Sequence, residues 1–209
     1  MKIRSSSGFT LIELLVVISI IAILASMSFA GITSAVLQAH KLRAKNDMVQ
    51  IKSAIQSYYA EYGRYPTGGD TTGKDMVFGY GGDMDNSAII SMLRHRVSDD
   101  GLDPNNENPR ELPFIEPKVV QGAGATVKGA VDSDDGNWYD PWGHQYIIFI
   151  DGNYDGDLTA AVGTVFSNAG TVNTSIGVAS LGLFNAKAPP SADPDLSTVE
   201  GKKWVLLSW

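Results

Sequence analysis

Two patterns of apolar and polar residues follow each other over the first 62 positions. From Phe9 to Ile32 nearly every position is apolar, and the polar exceptions are Thr10, Glu13, Ser19, Ser26 and Ser28. Further on, apolar residues recur at alternating steps of four and three, at Ala44, Met48, Ile51, Ile55, Tyr58 and Tyr62. The first pattern predicts a helix that is apolar on all sides, and the second predicts an amphipathic helix with one buried stripe.

Helix-breaking residues are concentrated in the rest of the chain. All nine prolines lie at or after Pro66, and 20 of the 22 glycines lie after Tyr62. We therefore predict one long helix over about residues 9–62, with a weak point at Gly31, followed by a loop-rich globular region. Gly63 is the expected C-cap, and Pro66 prevents the helix from continuing.

Shorter elements are predicted inside the globular region. Residues 67–85 and 97–113 read as loops rich in glycine, proline and acids. Asn86 is expected to cap a short helix over about residues 87–96, with three apolar residues inward: Ile89, Ile90 and Leu93. Strands are predicted within residues 118–131, 146–150 and 204–209.

Composition and charge narrow the classes of function. The chain has no cysteine, which excludes disulfides, thiolate metal sites and thiol nucleophiles. Its net charge of −7 argues against nucleic acid as a partner. The three histidines, His40, His95 and His144, lie outside any catalytic motif, and no glycine pattern forms a phosphate-binding loop. We predict that the protein is not an enzyme.

The apolar segment fits two interpretations. As a helix it would span about 36 Å behind Lys2 and Arg4, enough to cross a bilayer core. As a secretory signal peptide it would be cut after Ala30, because residues 28–30 form a small-x-small site. As a retained anchor it would keep its basic end on the cytoplasmic side. Glu13 favours the anchor, because a carboxylate costs about 2.5–3.5 kcal/mol at the centre of a membrane helix and a disposable signal has no need of it.

The residues around this acid resemble a known processing motif. Gly8-Phe9-Thr10-Leu11-Ile12-Glu13, between a short basic leader and an apolar helix, is similar to the motif of type IV pilins and type II secretion pseudopilins. The resemblance implies that a membrane aspartic peptidase, the prepilin peptidase, cuts between Gly8 and Phe9 and N-methylates Phe9. Glu13 then becomes the fifth residue of the mature chain.

Three further stretches resemble the major, G-type pseudopilin of type II secretion systems. They are Gly63-Arg64-Tyr65-Pro66-Thr67, Asp140-Pro141-Trp142-Gly143 with Tyr146, and Gly177-Val178-Ala179-Ser180-Leu181-Gly182, and the closing Ser208-Trp209 matches as well. The resemblance implies an α+β pilin-like fold. In that fold the long N-terminal helix, about residues 9–62, packs on a small antiparallel β-sheet with long loops.

The resemblance also implies a division of the chain and a function. A leader over residues 1–8 would be removed. Residues 9–32 would form the transmembrane and filament-core half of the helix, and residues 33–62 would form its amphipathic half. Residues 63–209 would form the globular domain. The protein would be a single-pass subunit of the bacterial inner membrane with a periplasmic globular domain. It would assemble into a helical type II secretion pseudopilus that supports protein export.

The expected partners follow from this assignment. They are identical subunits in a homo-oligomeric filament, the prepilin peptidase, the inner-membrane assembly platform, minor pseudopilins, and membrane lipid before assembly. Two alternatives stay open: a type IV pilin subunit of a surface filament for adhesion, motility or DNA uptake, and a secreted calcium-binding domain cleaved after Ala30. The mature N-terminus separates the last alternative, since it would begin at Gly31 and not at methylated Phe9.

Glu13 has a predicted role in assembly. A lone carboxylate in lipid is unfavourable unless a positive group is near it. We hypothesise that Glu13 pairs with the Phe9 amine of a neighbouring subunit, which would neutralise both groups in a bundle of helices. The other interpretation is that Glu13 lies near enough to the lipid headgroups to stay hydrated.

One acidic stretch is a candidate calcium loop. Residues 151–157, Asp-Gly-Asn-Tyr-Asp-Gly-Asp, fit the first half of a calcium loop, with oxygen ligands at alternate positions: Asp151, Asn153, Asp155 and Asp157. The second half fails, since Val162 stands where a bidentate glutamate belongs. Asp132, Asp134 or Asp135 would have to complete the set of ligands around the calcium ion. The alternative is a solvated turn between two strands. The aspartate of the usual family calcium site is missing, because residues 183–185 read Leu-Phe-Asn.

Overall fold

The computed structural model describes residues 9–67, 73–94, 107–122, 127–184 and 205–209, and it describes only the backbone of residues 27–31. The chain divides into two compact units, Met1–Ala39 and His40–Trp209.

Helix α1 spans Leu11–Tyr62, 52 residues, as the sequence predicts. At its end Gly63 adopts a φ of 69°, and its amide donates to the carbonyl of Tyr59 at 2.8 Å. This left-handed conformation is readily adopted only by glycine, so Gly63 is the C-cap that the sequence indicates.

The apolar stripe of the amphipathic half is the part of α1 that is buried. Met48 is 1% exposed, and Ala44, Ile51, Ile55 and Tyr58 are 0% exposed. The sixth member of the stripe, Tyr62, is half-buried and packs on the same core. These residues lie within the second unit, where they contact the sheet and α2, so the spacing predicted the buried face correctly.

The second unit contains two small sheets. In the larger sheet the order is β1 (Met76–Phe78), β5 (Ile147–Ile150), β6 (Ile176–Ser180) and β7 (Leu206–Leu207), with every pair antiparallel. The smaller sheet contains β2 (Val119–Val120), β3 (Ala130–Asp132) and β4 (Trp138–Tyr139), and here β2 and β3 are parallel. A long helix with an antiparallel sheet and loops is the α+β pilin-like architecture that the resemblance implies.

The larger sheet is covered on both faces. Ile148 and Ile150 of β5 pack in one core with the stripe of α1, while Ile147 and Phe149 point into a second core with helix α3, Thr159–Val165. Successive side chains of a strand point to opposite faces. The unbroken apolar run of β5 is therefore explained by a helix on each side.

Three elements were missed from the sequence. Strand β1 lies inside residues 67–85, which were wrongly predicted to be loop throughout, and neither β4 nor α3 was predicted. All three are short, and they are stabilised by tertiary pairing or packing: β1 by β5, β4 by β3, and α3 by the sheet face. Their local sequence carries little periodicity that could have revealed them.

Helix α2 spans Ser87–Arg94, and the last two residues predicted for it lie outside the described part. Ile89, Ile90 and Leu93 are buried as expected. The predicted capping role of the Asn86 side chain was wrong. The side chain of Asn137 accepts the Ser87 amide at 3.0 Å instead.

Asn86 is used as a bridge within the core. Its side-chain amide donates to the carbonyls of Trp138 and Tyr146, both at 2.9 Å, and its side-chain oxygen accepts the Trp138 amide at 2.9 Å. The fully buried asparagine thus joins α2 to β4 and to the start of β5. An asparagine side chain can serve as both donor and acceptor, which this position requires.

Candidate functional site

The predicted processing site lies at the N-terminus of α1. Gly8 is outside the described residues, and Phe9, on the other side of the predicted cut, is 78% exposed. The helix begins two residues later, at Leu11. Phe9 and Thr10 therefore precede the helix.

Thr10 and Glu13 form a reciprocal cap on the first turn of α1. The Thr10 hydroxyl accepts the Glu13 amide at 3.3 Å, and the Glu13 carboxylate accepts the Thr10 amide at 2.8 Å and the Thr10 hydroxyl at 2.6 Å. This arrangement is a capping box, whose signature is Ser or Thr followed three residues later by Glu or Gln. The signature Thr-x-x-Glu was readable from the sequence and was missed.

The capping box gives Glu13 a partner within its own chain. Its carboxylate satisfies donors of the helix start that would otherwise lack an acceptor. Thr10 is the additional functional candidate that the structure adds beside Gly8, Phe9 and Glu13.

The apolar residues of the first unit are exposed in the single chain. Large side chains from Phe9 to Leu24 are between 47% and 82% exposed, and Ile32 is 57% exposed. In the part of the chain that the structure describes, no helix has the combined length and apolarity needed to cross a membrane.

The candidate calcium loop lies between β5 and α3, and its polar side chains bind the loop's own backbone. Asp151, which is fully buried, accepts the Asp155 amide at 3.2 Å and the Gly156 amide at 2.8 Å. Asn153 also accepts the Asp155 amide, at 2.8 Å. Tyr154 adopts a φ of 61°, a left-handed conformation that few non-glycine residues adopt. The loop is therefore tightly turned and already organised.

The same pattern continues to the start of α3. Asp155 accepts the Asp157 amide and Asp157 accepts the Thr159 amide, both at 2.8 Å. The Thr159 hydroxyl and amide lower the pKa of Asp157, which is fully exposed. All four candidate ligands lie in one loop, with their oxygens directed largely at backbone amides.

The structure adds a fifth polar residue that the sequence could not associate with this loop. Asp75 precedes β1, and one of its carboxylate oxygens is buried with no hydrogen-bond partner among the described residues. Burial raises the pKa of Asp75, and the nearby charges of Asp151 and Asp155 raise it further, while the amides of Gly152 and Asn153 lower it. Three carboxylates are therefore crowded together.

Close backbone packing holds Asp75 beside the loop. A Cβ atom added to Gly152 would lie 1.9 Å from the carbonyl oxygen of Lys74, so only glycine permits this approach. Asp132, Asp134 and Asp135, considered as completing ligands, make hydrogen bonds in and beside the turn between β3 and β4. Among the described residues, no group of three or more His, Cys, Asp or Glu side chains is arranged to hold a metal ion.

A tyrosine stack connects the acidic loop to the segment after α1. The rings of Tyr154 and Tyr65 stack at 5.4 Å, and those of Tyr65 and Tyr59 stack at 4.6 Å. The Tyr154 hydroxyl also accepts the Tyr65 amide at 3.4 Å. The Gly-Arg-Tyr-Pro-Thr stretch is therefore a docking point for the acidic loop.

Two of the other quoted stretches meet at Asp140. One carboxylate oxygen accepts the amides of Trp142, Gly143 and His144 at 2.9 to 3.0 Å. The other accepts the Ser180 hydroxyl at 2.7 Å and the Gly182 amide at 3.3 Å. The carboxylate of the Asp-Pro-Trp-Gly turn thus binds the end of β6.

Another buried carboxylate, that of Asp47, lies on α1. The Tyr146 hydroxyl donates to Asp47 at 2.9 Å, and both residues are buried. Burial raises the pKa of Asp47, and the Tyr146 hydrogen bond and the Arg43 charge partly offset this. The same burial, with the charges of Asp47 and Asp140, raises the pKa of Tyr146 far above its usual range. Tyr146 therefore remains a neutral donor that ties the sheet to α1.

Comparison with known proteins gives a family match at the N-terminus. Residues 3–29 match the prokaryotic N-terminal methylation motif. The chain is 39% identical over 67 residues to type II secretion system core protein G of Aeromonas hydrophila, covering 32% of this chain and 47% of that protein. The core protein G of Dickeya chrysanthemi is 38% identical over 64 residues, or 31% of this chain and 42% of that protein.

The chain thus spans about half the length of the curated relatives that it matches. No solved structure matches the chain. The motif and the similarity both fall where the sequence resemblance was strongest. They identify the N-terminal region of the chain as pseudopilin-like, with a prepilin-type methylation motif.

Proposed function

We propose that this protein is a structural, non-enzymatic subunit of a type II secretion pseudopilus. The observation that carries the proposal is the match of residues 3–29 to the methylation motif, at the point where the capping box starts a 52-residue helix. Similarity to core protein G of several type II secretion systems supports it. A prepilin peptidase would cut after Gly8 and methylate Phe9.

The apolar half of α1 would anchor the subunit before assembly and form the filament core afterwards. The proposal is supported by the apolar sequence from Phe9 to Ile32, which includes residues 27–31, whose side chains lie outside the described part. It is also supported by the exposure of the described apolar side chains, which need lipid or other helices to cover them. The globular unit would lie in the periplasm.

Cleavage would change the surroundings of Glu13. The cut places a new amine at Phe9, next to Thr10, whose amide and hydroxyl bind the Glu13 carboxylate. A second copy would supply the positive group that this carboxylate needs in an apolar bundle. Identical copies are thus the first expected partner, and an inner-membrane assembly platform and minor pseudopilins would be the others.

The mature N-terminus tests the proposal. The full chain, expressed in cells that contain a prepilin peptidase, should yield a first residue of methylated Phe9 by mass spectrometry. A mature chain that begins at Gly31 would overturn the proposal in favour of a secreted domain. A methylated Phe9 with filaments on the outer cell surface, and export unaffected by deleting the gene, would indicate a surface type IV pilin instead.

Calcium binding by the acidic loop is a secondary proposal. It is supported by an all-oxygen donor set and by Asp75, which adds a crowded carboxylate to Asp151 and Asp155. Hard oxygen ligands of this kind suit calcium. The ion would relieve the repulsion between the carboxylates, and Asp155 and Asp157 would have to turn part of their oxygens from backbone amides to the ion.

A further inference from the structure

A groove runs along α1 beside the edge of the larger sheet. One cleft of about 520 Å³ lies between α1 and the edge strand β7, and a second of about 390 Å³ continues it toward Tyr59 and Tyr65. The two clefts share Lys52 and Gln56. We call this feature the α1–β7 groove, and its defining residues are Lys45, Val49, Lys52, Gln56, Leu207 and Trp209.

The helix side of the groove is one continuous face. Lys45, Val49, Lys52 and Gln56 follow each other at steps of four, three and four, which places them in one row along α1. Val49 is 63% exposed, so the row presents an uncovered apolar residue between two lysines. The row therefore offers two positive charges on either side of one exposed apolar side chain.

The charge of the groove is opposite to that of the whole chain. Its 520 Å³ cleft is lined by two lysines and, among the described residues, by no acidic side chain. Neither Lys45 nor Lys52 makes an ion pair within the described part of the chain. The whole chain has 23 acidic and 16 basic residues, so acids are in excess elsewhere on the same molecule.

The described surface also carries exposed acidic residues that lie near exposed apolar side chains and could therefore complement the groove. Asp83 and Asp85 follow the exposed Tyr80, and Glu111 precedes the exposed Leu112. Each group combines a carboxylate with an apolar side chain, as the groove combines lysines with Val49. The complement of the groove is therefore found on the chain itself, at residues that do not line the groove.

We propose that the α1–β7 groove is a contact site for a second copy of this chain, which presents an acidic and apolar surface to Lys45, Val49 and Lys52. Because the groove and its complement are different surfaces, the contact is heterologous. Repeated contacts of this type produce an open filament when the rotation does not close. The inference rests on the proposed function and assigns one of its subunit interfaces.

The test places a photo-crosslinking amino acid at position 49 of the full chain in cells that form filaments. Illumination should produce an adduct of twice the chain mass, and mass spectrometry should locate the second attachment in an acidic segment of the same protein. An adduct with a different protein, an adduct with lipid, or no adduct in cells that contain filaments would overturn the proposal.

Charge variants in the same background test the role of the lysines. Combining Lys45→Glu with Lys52→Glu should reduce the self-adduct about threefold to tenfold, the size expected when two exposed ion pairs become repulsive. The charge-conserving double variant, Lys45→Arg with Lys52→Arg, should retain the self-adduct. The control double variant outside the groove, Lys118→Glu with Lys128→Glu, should retain it as well. An equal loss in the arginine pair, or none in the glutamate pair, would contradict the assignment.

The failure of this inference is distinguishable from failure of the proposed function. If the mature chain begins at methylated Phe9 and filaments form, but position 49 yields no self-adduct, only the groove assignment is wrong. If Phe9 is never exposed by cleavage, the proposed function itself is wrong.

Discussion

The Ser180 hydroxyl donates a hydrogen bond of 2.7 Å to the Asp140 carboxylate, joining two fully buried side chains that lie 40 residues apart. The same carboxylate accepts three consecutive amides of the turn that follows it. Hydrogen bonds to a charged group are stronger than those between neutral groups. Asp140 therefore fixes both the turn before β5 and the end of β6.

Replacing Asp140 with asparagine should strongly destabilise the fold. The side-chain NH₂ would face hydrogen-bond donors, so at least one buried donor would lose its acceptor. We expect Asp140→Asn to lower the free energy of unfolding by about 2–4 kcal/mol, by analogy with broken buried charged hydrogen bonds. Urea unfolding of the full chain in detergent, followed by tryptophan fluorescence, measures this change. Exposed Asp83→Asn is the matched control, expected within about 0.5 kcal/mol of wild type; equal effects would contradict the role of Asp140.

The pair formed by Asp47 and Tyr146 should couple α1 to the sheet. Tyr146→Phe removes the hydroxyl donor and leaves a buried carboxylate oxygen unpaired, so we expect a loss of about 1.5–3 kcal/mol at pH 7. The loss of unfolding free energy caused by Tyr146→Phe should be smaller in acid, because a protonated Asp47 no longer leaves a buried charge without its donor. Adding Asp47→Asn to Tyr146→Phe should cost less than the sum of the two single changes. Strictly additive unfolding free energies would show that the hydrogen bond is unimportant.

Asp75 should make stability depend on pH. Its pKa is raised in the folded protein above the ordinary value of 3.8, so the folded state holds this proton more tightly than the unfolded state does. The free energy of unfolding should therefore fall as the pH rises from about 3.8 through the folded pKa. In calcium-free buffer, Asp75→Asn should remove the part of this pH dependence that comes from Asp75. The free energy of unfolding of the variant at pH 7 should therefore be higher than that of wild type. A variant that keeps the wild-type pH profile would disprove the assignment.

Calcium should bind the acidic loop and raise the melting temperature. Calorimetric titration of the full chain with calcium alone should give heat, and Asp155→Asn should weaken or abolish it, because this change removes a ligand charge. The control is Asp134→Asn in the turn between β3 and β4, which should leave binding unchanged. Absence of heat together with an unchanged melting temperature would mean that the loop is a structural turn only.

Two substitutions of Glu13 separate its capping role from its charge. Glutamine also completes a capping box, so Glu13→Gln should keep the helix start, whereas Glu13→Ala removes it. If the charge pairs with a Phe9 amine, both variants should be processed to methylated Phe9 and both should fail to assemble. Filament yield and N-terminal mass spectrometry measure the two steps. If Glu13→Gln forms filaments at the wild-type yield, the charge of Glu13 is not needed for assembly and its role is limited to capping the helix.

The sequence alone predicted the features whose cause is local. Apolar spacing fixed the long helix and its buried stripe from Ala44 to Tyr58, because side chains three and four residues apart share one helix face. Gly63 ended the helix through its freedom to adopt positive φ. The motif around Phe9 likewise needs only neighbouring residues, and it matched a family model.

The tertiary structure decided the features that depend on distant residues. Asp75 joins a loop 76 positions later, Asp140 binds the end of β6, and Asn86 spans β4 and β5 in place of capping α2. Strand β1 and helix α3 exist because the sheet supplies their partners. A local pattern contains no information about which distant donor or strand will arrive beside it. The sequence by itself therefore determined where the long helix lies and where the chain is proposed to be cut, whereas only tertiary packing decided which carboxylates are buried, paired or crowded.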